Sequence, residues 1–131
     1  MAEQAQVDGG IYDQIVRSVV DHLHRQGFSE VMARAQGFSV PERVRWEEGH
    51  EGVVPHITAR YNKAVYVFDI ETRNHINEGQ VEDRWRLLSA YARRHQGKFY
   101  LVIPESRADY LEKVVSSLDV RLEFLKLSGI D

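Results

Sequence analysis

The chain has 131 residues, 43% hydrophobic and 28% charged, with a formal net charge of −3 and no cysteine. This is one ordinary domain with enough apolar surface for a core, and it excludes a disordered tail, disulfide frameworks, thiolate zinc sites and cysteine nucleophiles. The negative balance speaks against a general nucleic-acid binder; with no run long enough to span a membrane and no signal-peptide pattern in residues 1–8, a cytoplasmic protein without a membrane partner is expected.

Residues 1–10 are polar, end in Asp8-Gly9-Gly10 and read as a loose leader, leaving 11–131 as a single domain. Ile11, Ile15, Val19 and Leu23 recur every four residues, with Tyr12, Val16 and Val20 beside them. That spacing predicts an amphipathic helix closed by Gly27. Phe28 to Ala35 follows as a strand, Gly37 and Pro41 interrupt the chain, and Val40, Val44 and Trp46 extend a strand or an edge segment. Residues 47–52 form a polar loop containing His50. Val53 to Arg60 and Lys63 to Glu71 are predicted as an antiparallel pair turning at Tyr61-Asn62, since Asn tolerates the left-handed backbone of a tight hairpin. Asn77 and Gln80 stand at capping-box spacing before a helix to Gln96 that carries Val81, Trp85, Leu88 and Ala92. Phe99 to Ile103 is a continuous apolar run, as in a strand covered on both faces. Ser106 and Asp109 suggest a second capping box before a helix through Leu111, Val114, Val115 and Leu118, and Val120, Leu122 and Phe124 alternate as a last strand. The order αβββαβαβ packs most simply as an α/β fold: a central mixed sheet with a strand meander, flanked by helices.

Asp69 and Glu71 end the apolar run 65–70 and leave the strand from the same face. Acids at the end of a buried strand need a metal, a basic partner or open water. If the two strands pair as predicted, His56 comes near Asp69, and a histidine with two carboxylates suits Mn²⁺, Fe²⁺ or Zn²⁺. The plainer alternative is that both acids pair with Arg or Lys. Arg73, Arg84, Arg86, Arg93 and Arg94 gather around the second helix, where they approach phosphates or, with Glu78, Glu82 and Asp83 beside them, form a solvated face. Trp85, Tyr91 and Phe99 are expected in the core and Trp46 at the surface. No serine sits in a nucleophile-elbow sequence, so a hydrolase triad has no support.

The element order and these polar residues resemble the restriction-endonuclease-like, or PD-(D/E)xK, nuclease superfamily over roughly residues 11–125. Pro55-His56-Ile57 falls where that family has Pro-Asp, and Asp69-Ile70-Glu71 where it has acid-x-Lys. The resemblance implies catalytic and metal-binding roles for Asp69, Glu71 and His56 with a divalent ion, Mg²⁺ or Mn²⁺. It implies DNA as a partner, contacted by Arg73, Arg84, Lys63 and Lys98, and a homodimer or larger protein complex. The departures weigh against cleavage. Histidine is a poor Mg²⁺ ligand, and Glu71 replaces a cation, which leaves the site anionic and repellent to phosphate unless metal is bound. A shifted register, Glu71-Thr72-Arg73, restores acid-x-base, but arginine does not give up its proton. The expectation is a nuclease-fold domain with a decayed site acting as a nucleic-acid-associated binding or structural module. The alternatives are a metal-dependent endonuclease with a rearranged site, in which Lys63 or Lys98 supplies the missing cation, and a generic α/β protein-interaction domain.

Overall fold

The computed structural model describes residues 2–46, 51–73 and 76–129, with side chains from residue 10 onward. Five strands form one mixed sheet between helical layers. In chain order the elements are α1 (Ala2–Arg25), β1 (Ser29–Ala33), β2 (Ile57–Tyr61), β3 (Ala64–Ile70), α2 (Glu78–Arg94), β4 (Phe99–Pro104), one 3-10 turn (Glu105–Arg107), α3 (Ala108–Ser116) and β5 (Glu123–Leu127). The strands lie side by side in the order β1-β2-β3-β4-β5. β1, β2 and β3 are antiparallel, whereas β3, β4 and β5 run parallel.

The period-two alternation of β3 divides the core. Val65 and Val67 face one way and join Val81, Trp85 and Leu88 of α2, Leu111 of α3, and Phe99, Leu101 and Ile103 of β4. Phe68 and Ile70 face the other way and meet Ile15, Val16, Val19, Val20 and Leu23 of α1, with Ile57 and Val102. Asp69 has the parity of Val67 and so looks toward α2. Trp85 and Phe99 are buried, Tyr91 is half-buried and Trp46 is exposed, as the sequence suggested.

Several boundaries differ from the sequence reading. The helix α1 includes residues 2–10, read as a leader, where Ala2, Gln4, Ala5 and Gln6 are good helix formers. The hairpin turns at Asn62-Lys63, one residue later than expected, and both have positive φ (50° and 71°), the backbone of a type I′ turn. The segment Val40 to Trp46 contributes only an isolated bridge, Val44 to Val53, and residues 47–50, with His50, lie outside the described residues. α3 is entered through the 3-10 turn with Arg107 as N-cap, without a side-chain cap. The last strand begins at Glu123 rather than Val120. The Asn77 side chain accepts from the Gln80 amide at 3.3 Å, as the capping spacing required.

Gly97, between α2 and β4, permits a close backbone approach to β3. A Cβ there would sit 1.7 Å from the Val65 carbonyl oxygen. This contact docks the end of α2 on the start of β3, where the Val65 amide donates to the His95 carbonyl at 3.1 Å.

Candidate functional site

The hairpin register pairs Ile57 with Phe68, which sets His56 opposite Asp69 one step further along. The amide of His56 donates to Asp69 Oδ1 at 3.2 Å, and the amide of Ile70 donates to His56 Nδ1 at 2.8 Å. Nδ1 therefore carries a lone pair. Burial also disfavours the imidazolium and pushes the His56 pKa below its usual 6.5, against the pull of the nearby Asp69 carboxylate. The ring meets Tyr12 of α1 edge-on, centroids 5.4 Å apart. Burial raises the Tyr12 phenol to about 12.

Asp69 and Glu71 are both buried, at 2% and 3% exposure. Each is held by its own guanidinium. Arg84 Nε donates to Asp69 Oδ2 at 2.5 Å and Nη2 to Oδ1 at 3.0 Å, and Nη2 also donates to the Val54 carbonyl at 2.8 Å. Arg73 Nε donates to Glu71 Oε2 at 2.9 Å and Nη2 to Oε1 at 2.6 Å, joined by the Arg73 amide on Oε2 at 2.9 Å. The bond to Glu71 raises the Arg73 pKa above its already high value. Both forks are bidentate, the strongest arrangement open to an arginine and a carboxylate. Formal charge thus cancels pair by pair, which corrects the expectation of an anionic site.

Tyr12, His56, Asp69, Ile70, Glu71, Arg73, Arg84 and Trp85 line one cleft of about 410 Å³. It opens at the carboxyl end of β3, where the sheet changes from antiparallel to parallel pairing. Ligands of α/β sheets commonly bind outside the carboxyl ends of the strands, where this cleft lies. No family model, curated protein or solved structure matches this chain.

Of the residues singled out in the sequence, His56, Asp69, Glu71, Arg73 and Arg84 converge in the cleft. Lys63 and Lys98 do not; they precede β3 and β4 and lie at the opposite end of those strands. Among the described residues, no group of three or more His, Asp or Glu side chains is arranged to hold a metal. If one bound here, His56, Asp69 and Glu71 are the donors within the cleft, and Arg84 and Arg73 would have to release the carboxylates. The role of one residue and the presence of another in the cleft escaped the sequence reading. Arg84 does more than approach a phosphate, and its position betrays this: with Val81, Trp85, Leu88 and Ala92 it sits in the i, i+3, i+4 stripe facing the sheet. A charge inside an apolar stripe needs a buried partner. Tyr12 likewise stands on the buried face of α1, but nothing in its spacing separates it from a core residue.

Proposed function

We propose that this domain is kin to the PD-(D/E)xK nucleases, that its metal centre has been replaced by two guanidinium–carboxylate pairs, and that it associates with nucleic acid without cutting it. The order αβββαβαβ and the placing of Asp69 and His56 at the end of a β2–β3 hairpin support the kinship. One observation carries the loss of cleavage. All four carboxylate oxygens of the buried Asp69 and Glu71 already accept from Arg84 or Arg73, so a hard cation must displace two bidentate forks before it gains a ligand. Neither fork can act as a base, and the lysine this chemistry uses is absent from the cleft.

Thermal melting with Mg²⁺ and Mn²⁺, run beside a plasmid and branched-DNA cleavage assay, tests the reading. The expected result is no rise of the melting midpoint, no cleavage, and binding of labelled DNA that weakens with salt. Metal-dependent cleavage abolished by Asp69→Ala would establish instead the second reading, an endonuclease with a rearranged site, which the convergence of His56, Asp69 and Glu71 on one cleft favours. Failure to bind any nucleic acid at low salt would remove the association.

A further inference from the structure

The cleft is neutral, so it offers a phosphate little attraction, and the nucleic acid in the preceding proposal needs another surface. The opposite end of the sheet supplies unpaired positive charge. Arg93 and Arg94 end α2, Lys63 sits in the β2–β3 turn, Lys98 precedes β4 and Arg121 precedes β5. The Gly97–Val65 contact holds the turn beside the end of α2. All five side chains are exposed, and none makes a hydrogen bond or ion pair with another described residue. Helix-dipole compensation accounts for Arg93 and Arg94 at the C-terminus of α2 but not for three cations from other elements. Arg93, Lys98 and Arg121 line a single cleft of about 460 Å³, whose one acid is Glu123.

The other face of the sheet, at this same end, carries an aromatic cavity. Phe28, Tyr61, Tyr66, Phe68 and Tyr100 line a space of about 340 Å³ beneath the last turn of α1. Tyr100 and Phe68 are stacked at 5.3 Å, while Tyr61, 41% exposed, leans on Phe28 at 5.2 Å. Residues 98 to 100 connect the two features, because Lys98 stands at the rim, Phe99 faces the basic cleft and Tyr100 faces the aromatic one.

We infer that this end of the sheet is the nucleic-acid surface and that it takes a single strand, with phosphates along the five cations and an unstacked base among the aromatic rings. This rests on the reading of the domain as nucleic-acid-associated. Cations that track a backbone beside aromatic stacking surfaces are the chemistry of single-strand recognition. A duplex would satisfy the cations but keep its bases from the cavity. An acidic peptide would satisfy the cations but supplies no planar base to stack among the aromatic rings.

Fluorescence anisotropy tests the assignment with a labelled oligo(dT) strand, a duplex of the same length and poly-glutamate as competitor. The variants are the native chain, Arg93→Gln/Lys98→Gln/Arg121→Gln and Tyr61→Leu. Because all four positions are exposed, the variants should keep native circular dichroism and urea midpoints near the native value. Expected are tighter binding of the strand than of the duplex, little competition from poly-glutamate, and a log–log salt slope near −3 for about four or five phosphate contacts. The triple variant should bind at least tenfold more weakly, its slope shallower by about 2. Tyr61→Leu should cost about fivefold or more without altering the slope, the signature of lost stacking. Native-strength binding by the triple variant would overturn this assignment while leaving the nucleic-acid reading intact, as would a preference for duplex or poly-glutamate. A native chain that binds no nucleic acid defeats the underlying reading itself.

Discussion

The pairing of Arg84 with Asp69 makes a strong demand on stability. Asp69 is 2% exposed, and Arg84→Met strips both guanidinium bonds from its carboxylate while leaving only the His56 amide at 3.2 Å. Removing one member of a buried ion pair costs about 3–5 kcal/mol, because the remaining charge is buried without compensation. The Arg84 side chain is 24% exposed, and water can follow it out, so the lower limit of about 3 kcal/mol applies. For a domain of this size that lowers the melting midpoint by about 12 °C. Asp69→Asn/Arg84→Met removes both charges and should recover about 2 kcal/mol of the loss, since no orphaned carboxylate remains. Urea denaturation of the native chain, both single variants and the double variant closes the cycle. An Arg84→Met chain within about 0.5 kcal/mol of the native one, the spread of ordinary surface changes, would refute the claim that this arginine neutralises a buried acid.

Three further outcomes follow from the same geometry. Because burial holds His56 neutral below its usual pKa, the unfolded chain takes up the proton first; stability is full above about pH 6.5 and declines as pH falls toward the folded value. His56→Asn keeps an acceptor for the Ile70 amide without titrating, so urea midpoints between pH 7 and pH 5 should fall less in the variant, and parallel curves would contradict the assignment. Gly97→Ala, with its Cβ 1.7 Å from the Val65 carbonyl, should cost about 3 kcal/mol or more by calorimetry; a near-native midpoint would show that the α2–β3 junction yields freely. Lys63→Gly relieves a side chain at φ 71° and completes an Asn-Gly type I′ turn, so the urea midpoint should rise by about 0.5–1 kcal/mol of stability, and a fall would mean that the lysine stem packs usefully.

The sequence exposed the fold through periodicity. The stripes of α1 and α2 and the apolar runs of β3 and β4 each come from burial against a single layer or between two, and burial leaves a pattern in the residues themselves. Ends were harder to read. The hairpin turn moved by one residue because Asn62 and Lys63 share the left-handed conformation, which the asparagine advertises and the lysine does not. β5 began later because Val120 and Leu122 are half-buried against the core on the α2 side of the sheet without joining the ladder. In the candidate site, the meeting of His56 with Asp69 was legible from the hairpin arithmetic. The partners of the two acids were not, since Arg73 lies beyond the strand and Arg84 reaches in from another element. Whether a carboxylate faces a metal or a guanidinium depends on that long-range approach rather than on local spacing.

Each strand's neighbour in the sheet is also its neighbour in the chain. Assembly therefore needs no strand to insert between two others. The β2–β3 hairpin closes over a two-residue turn, whereas β1, β4 and β5 each join the sheet across a much longer connection, with a larger loop-closure entropy. Growth runs outward from the Asn62-Lys63 turn, to β1 on one side and to β4 and then β5 on the other, and β5 at its edge is gripped along only one side. Within the parallel half of the sheet, amide exchange should accordingly be fastest in β5 and slowest in β3, the strand on which both growth and chemistry converge.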